Sequence, residues 1–223
     1  TAEGEVDTVA YTPGEFNSAR CKGGINDVMI VQTENEFKVE TISYEMMTDS
    51  IQVTNENGVL TVGFTNKTAR IFGPTQVRIY APALTSISST ESSNIRISGY
   101  HGDSLRIETI GSGLIKAFNL EISGKLTIIG TGSSDHELKH ITASEMVIDK
   151  NGSGDGEYSD LNVGTLSVAS NGSGDAKLSG KADSVVFSKA GSGDIDASEL
   201  KAKHVETRKS GSGDLIINGE ATK

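Results

Sequence analysis

Tryptophan is absent from the sequence, cysteine occurs once and proline three times in 223 residues. The lone thiol, Cys21, excludes an intrachain disulfide and a cysteine metal cluster, and leaves the redox compartment open. Basic charge is in deficit, with 20 Lys and Arg against 30 Asp and Glu and a net charge of −10. Nucleic acids and anionic membrane surfaces select basic patches, so both are excluded as expected partners. No apolar run approaches the ~20 residues of a membrane span. Hydrophobic residues make up 35%, low for a globular enzyme but ordinary for a thin solenoid whose strands expose one side. The length suits one elongated domain or two small ones.

Glycine is abundant, with 26 copies, and its placement is periodic. A tetrapeptide recurs through residues 91–214: Glu91-Ser92-Ser93-Asn94, Gly111-Ser112-Gly113-Leu114, Gly132-Ser133-Ser134-Asp135, then Gly-Ser-Gly-Asp ending at Asp155, Asp175, Asp194 and Asp214. The fourth positions lie 20, 21, 20, 20, 19 and 20 residues apart. A fixed period in this range marks a solenoid, in which each repeat buries its apolar face on its neighbours.

Apolar residues keep the same beat. Three along from each fourth position stand Ile97, Ala117, Leu138, Tyr158, Leu178, Ala197 and Ile217; six along, Tyr100, Leu120, Ile141, Leu161 and Leu200. Eight along come Ile122, Ala143, Val163 and Ala202, and further buried pairs follow at eleven and thirteen. Steps of two are strand periodicity, and Gly-Ser-Gly supplies tight turns. The expected fold is all-β: a single-stranded right-handed parallel β-helix of about 20 residues per coil with an N-terminal β cap, the handedness following the general rule for parallel crossovers. Its coils lie about 4.8 Å apart, making a rod about 30 Å long from the repeats.

Three regions are expected along the chain. Residues 1–14 read as a flexible leader. Residues 15–75 read as an all-β cap continuous with the solenoid, with strands over 26–31 and 37–42, one helical turn within 43–50, and a hairpin at Asn55-Glu56-Asn57-Gly58. Residues 76–223 read as the β-helix, with a first coil from Pro74 that places Val77 and Ile87 three and thirteen along. The cap closes an otherwise unpaired solenoid end, while the C-terminal end, from Leu215-Ile216-Ile217, is expected to stay exposed or meet another molecule. The start at Thr1-Ala2-Glu3 suggests a removed N-terminal segment, a secretory signal or a cloning trim.

The repeats, with Gly14-Glu15-Phe16, Gly58-Val59-Leu60-Thr61-Val62 and Val77-Arg78-Ile79-Tyr80-Ala81-Pro82-Ala83-Leu84, resemble the bacterial family called putative auto-transporter adhesin, head GIN domain, common in gut Bacteroidetes. The resemblance covers residue 14 to the end. It implies a β-solenoid similar to pectin-lyase-like folds, an extracytoplasmic location and a role in adhesion, and it carries over no catalytic residues.

Candidate chemistry centres on the column Asp135, Asp155, Asp175, Asp194 and Asp214. Stacking sets these carboxylates about 5 Å apart, where repulsion is only ~1 kcal/mol per pair in water. Calcium favours such clusters, but glycine-rich calcium rolls use a nine-residue repeat, and Asn94 and Leu114 occupy the same position here. The preferred role is acceptance of turn N–H groups. The serines Ser92, Ser112, Ser133, Ser153, Ser173, Ser192 and Ser212 are turn residues rather than nucleophiles, since no nucleophile elbow with a following Asp and His accompanies them. His136 and His140 need not share a face of a strand, and His101 and His204 lie in other coils, so no zinc spacing emerges. A lyase for acidic sugar calls for a basic groove, at odds with an acidic chain. The expectation is therefore a non-enzymatic cell-surface adhesin or structural protein with no catalytic, cofactor or metal residues. Expected partners are a host-surface or glycan ligand or another copy in a homo-oligomer. A carbohydrate-binding or polysaccharide-cleaving β-helix is the alternative.

Overall fold

The structure, a computed structural model, describes residues 4–65, 73–217 and the backbone of 220–222. Its strands are β1 (Val6–Tyr11), β2 (Ser18–Cys21), β3 (Asp27–Gln32), β4 (Lys38–Tyr44), β5 (Ile51–Glu56), β6 (Val59–Phe64), β7 (Gln76–Ala81), β8 (Ser86–Glu91), β9 (Asn94–Gly102), β10 (Leu105–Gly111), β11 (Ile115–Gly132), β12 (His136–Gly152), β13 (Gly156–Asn171), β14 (Ala176–Ala190), β15 (Ile195–Lys209), β16 (Leu215–Ile217) and β17 (Glu220–Thr222). A 3-10 segment, Glu45–Ser50, fills the expected helical turn. Together they form a β-solenoid of about 7 turns with about 20 residues per turn.

From β9 onward the coils stack in parallel, and each of β11 to β15 runs round nearly a whole coil. Ile97, Ala117, Leu138 and Tyr158 stand in register, with Tyr158 over Leu178. The six-along file runs Tyr100, Leu120, Ile141, Leu161, Gly180 and Leu200. These side chains are buried, so the apolar files form one continuous core along the axis. Within each coil the chain bends at a left-handed residue, Asn119, His140 or Asp160 in successive coils. Asn, Asp and His are the non-glycine residues that tolerate this conformation best.

The two off-period coils keep their strands aligned because the length changes fall at corners. The extra residue of the coil from Leu114 sits between Ile122 and Lys125. The missing residue of the coil from Asp175 is the bend residue itself: Tyr158 and Leu161 bracket two residues where Leu178 and Gly180 bracket one. Gly180 takes φ +118° there, and a Cβ would lie 2.2 Å from the Leu161 carbonyl oxygen.

The N-terminal region differs from its expected layout. The leader contributes β1, which pairs antiparallel with β4. Residues 15–75 do more than cap. β2 lies between β6 and β8, and β3 between β7 and β9, all in parallel. The segment from β2 to β3 is thus a rung slotted between two later ones, and the coil beginning near Pro74 stacks on it rather than on β9. The inward residues Ala19, Cys21, Val28 and Ile30 make this fit, continuing the core files upward. The cap proper is antiparallel: β4 on β7, β1 on β4, and β5 on β6 through the expected hairpin, with Asn57 and Gly58 at positive φ. At the other end β17 folds back antiparallel on β16, whereas residues 205–209 pair only with β14 among the described residues. Glu206, Arg208 and Lys209 charge that edge, the usual defence against strand addition.

The corner glycines set the tolerance of the stack. At Gly152, with φ +127°, a Cβ would come 2.0 Å from the Gly132 carbonyl oxygen, whereas at Gly99, φ +69°, nothing lies within 4 Å. Gly99→Ala is expected to cost about 1–2 kcal/mol, the left-handed penalty alone. Gly152→Ala must also move backbone and is expected to cost clearly more, as read by the denaturant midpoints of the two variants side by side.

Candidate functional site

The Gly-Ser-Gly-Asp corners form one wall of the solenoid. Its serines are exposed at the turn tips, apart from the inward Ser93 and Ser134, and its aspartates project beside them. Four of the five carboxylates accept a hydrogen bond from the next coil: Asp155 N–H to Asp135 Oδ1 at 2.7 Å, Asp175 to Asp155 at 2.8 Å, Asp194 to Asp175 at 2.8 Å and Asp214 to Asp194 at 2.7 Å. The acceptor role expected of this column is present, but the bonds run between coils rather than within a turn. Asn94 acts alike, receiving the Leu114 N–H at 2.9 Å. Leucine accepts nothing, so the ladder breaks at Leu114 and resumes at Asp135. Among the described residues, no three His, Cys, Asp or Glu side chains converge to hold a metal ion.

Behind this wall lies a polar file that the sequence reading passed over. Cys21, Ser89, Thr109, Gly130, Lys150, Ser170 and Lys189 stand in register and point inward. Lys150 and Lys189 are each only 2% exposed. Lys189 Nζ donates to the Gly191 carbonyl at 3.2 Å, while Lys150 Nζ has no partner among the described residues. Burial lowers the Lys150 pKa, and the charges of Asp155, Asp175 and Asp135 oppose that shift. The Lys150 side chain inside the wall therefore faces carboxylates outside it, and its positive form moderates the repulsion along the ladder.

At the third turn position Ser134 Oγ meets Thr109 Oγ1 and the Gly113 carbonyl oxygen, each at 2.5 Å. At Gly174 and Gly213 backbone meets backbone: a Cβ at Gly174 would lie 1.9 Å from the Gly154 carbonyl oxygen and 2.4 Å from Lys150 Nζ, and one at Gly213 2.0 Å from the Gly193 carbonyl oxygen and 2.5 Å from Lys189 Nζ. A signal for these lysines was available. Fifteen along is the next inward step after eleven and thirteen.

The four histidines do not meet. His101 and His204 are exposed, and His140 sits at an exposed bend paired with Asp160. His136 is buried, and its Nδ1 shares a 2.6 Å hydrogen bond with the Tyr158 hydroxyl. Burial first, then the charge of Lys150, hold the His136 pKa down to about 4. Burial likewise raises Tyr158, and pushes the Cys21 thiol up to about 12, leaving it unreactive at neutral pH.

Two grooves run along the axis. One follows the Asp ladder, encloses about 600 Å³ and is rimmed by Asp135, Glu137, Asp155, Glu157, Asp175, Asp194 and Asp196, with Lys177 as its only lysine or arginine. The other encloses about 730 Å³ at a different corner, over Ile122, Ala143, Val163, Ala182 and Ala202. Both are open and linear, and most of their coils contribute three consecutive residues.

The head GIN domain model matches residues 15–125 and again 120–222. The chain belongs to the putative auto-transporter adhesin, head GIN domain family. Solved structures agree on the fold of this family member. A putative adhesin from Bacteroides fragilis is similar at TM-score 0.81 and 20% identity, over 96% of this chain and 97% of the other. Putative adhesins from Parabacteroides distasonis (0.68, 20%, 96% and 97%) and Parabacteroides merdae (0.67, 21%, 95% and 95%) follow. No curated protein matches the chain.

Two measurements check this wall. Asp155→Leu leaves the Asp175 N–H without its acceptor and is expected to cost about 1 kcal/mol, whereas Asp155→Asn keeps the acceptor and stays near neutral. For His136, the folded pKa of about 4 lies below the ordinary 6.5. Its contribution is complete above pH 6.5 and is lost as pH falls towards 4, by about 3 kcal/mol in total. Denaturant midpoints at pH 7 and 4.5 should therefore differ less in His136→Leu than in the parent chain.

Proposed function

We propose that this chain is a non-enzymatic extracytoplasmic binding module, an adhesin or structural protein that holds its ligand along the outside of the solenoid. The observation that carries the reading is the form of two of its recesses, the acidic and the lysine-rimmed grooves. They are open grooves running across successive coils, lined by repeating side chains, suited to contact over an extended surface. In the acidic groove one oxygen of each of Asp135, Asp155, Asp175 and Asp194 is committed to a neighbouring N–H, a structural duty unlike that of a general acid or base. The family description and the names of the similar structures support adhesion and an extracytoplasmic setting.

A second reading, a carbohydrate-binding or polysaccharide-cleaving β-helix, draws on the same grooves, whose length suits a linear polymer. Purified protein is to be tested on immobilised host-matrix proteins and a glycan array, with calcium or with EDTA. Saturable binding that survives EDTA is expected, with no new reducing or unsaturated ends from any bound polysaccharide. Appearance of such ends would overturn the non-enzymatic reading, and silence on every surface would overturn adhesion.

A further inference from the structure

We infer that the groove over Ala143, Val163 and Ala182 is a binding site for a linear acidic polysaccharide of the uronate class, held by Lys181, Lys201 and Lys203. The inference deepens the binding-module reading and rests on it.

The chain is acidic overall, yet this groove is not. Its rims carry three ammonium groups against one carboxylate, Asp183. Asp183 sits 3.5 Å from Lys203. Lys181 and Lys201 face each other in register on adjacent coils, and among the described residues neither makes an ion pair. Like charges directly opposite on neighbouring strands destabilise a sheet. The flanking carboxylates do not answer this pair: Asp183 is turned to Lys203, and among the described residues Glu199 reaches ion-pair distance of neither lysine. An anion lying along the groove would bridge both lysines and remove the repulsion.

The rest of the groove selects among polyanions. Thr142, Asn162 and Ser144 offer hydroxyl and amide groups on the rims of the preceding coils, partners for a hydroxyl-rich chain. The floor is low, because Ala143, Ala182 and Ala202 leave a shallow apolar strip on which a ring can lie. Strands β11 to β14 beneath it are paired on both sides, so a peptide could add as a strand only at the outer edge of β15, where charged side chains oppose it. Single-stranded nucleic acid relies on aromatic stacking, and no aromatic residue lines the groove. Polar groups recur once per coil, about every 4.8 Å, a spacing suited to a repeating polymer.

Calorimetric titration with a short oligogalacturonate tests the site, with its methyl ester, polyglutamate and single-stranded DNA as comparison ligands. The uronate is expected to bind in a salt-sensitive manner. K181A/K201A/K203A should weaken it about tenfold or more, as three lost ion contacts imply, while K116A/K125A stays within about twofold. The triple variant should melt close to the parent, because it removes a like-charge contact together with one exposed ion pair, Lys203–Asp183. If it does melt lower, K201Q is titrated instead and should still lose affinity. Equal binding of the methyl ester, unchanged affinity in the lysine variants, or equal or tighter binding of polyglutamate or DNA would overturn the assignment, as would no binding at all. Matrix adhesion that persists in a chain failing these titrations would sink the uronate site alone and leave the adhesive reading standing.

Discussion

Close approach of backbone to backbone at the Gly-Ser-Gly-Asp corner is the constraint on which the rest of the structure depends. Coils in parallel register must come within hydrogen-bonding distance all the way round, corners included. A side chain at the first turn position would collide with the carbonyl of the coil before it, as at Gly152 and Gly172. Once glycine permits that contact, the fourth residue lies directly over its counterpart, and an aspartate there can take the N–H of the next. The inward files follow from the same register, since a strand held at the corner has only one face to turn to the core.

The corner also shows how a narrow solenoid handles charge. A row of carboxylates at coil spacing is tolerable in water, and the ladder gives Asp135, Asp155, Asp175 and Asp194 a donor each. Buried lysines on the inner side add compensation that a surface count of charges misses. Lys150 and Lys189 reach under the turn beside Gly174 and Gly213, where close backbone contact already calls for glycine. Ser89, Thr109 and Ser170 occupy the same inward file in other coils. In the lysine-rimmed groove at another corner, Lys181 and Lys201 are exposed and, among the described residues, make no ion pair, while Lys203 pairs with Asp183.

Much of the fold was legible. The period, the apolar files and the Asn-Gly hairpin all have local causes, namely glycine at positive φ and alternation of two along a strand. The candidate site was legible in part: the Asp column as acceptors of N–H groups, though their donors lie on the next coil rather than in the turn, and the serines as turn residues. The inward Lys150 and Lys189 were passed over because lysine is ordinarily a surface residue, although their parity with Leu166 and Val168 in the neighbouring coil placed them inside. The basic groove escaped because Lys181, Lys201 and Lys203 are scattered among acidic residues in sequence, and net charge averages over positions that the coil separates.

By itself, the sequence determined that this chain coils: a twenty-residue beat of glycine corners and inward apolar residues is satisfied when each repeat lies on the next. It also determined where length can vary, since an added or missing residue does least harm at a bend. Only the tertiary structure decided the order of stacking at the N-terminal end, where β2 and β3 slip between rungs that come later in the chain. Strand pairing depends on which edges meet in space, and a pairing between residues so far apart leaves no periodic trace. The same holds for the grooves. Their charge is a property of side chains brought together from successive coils, which no single stretch of sequence contains.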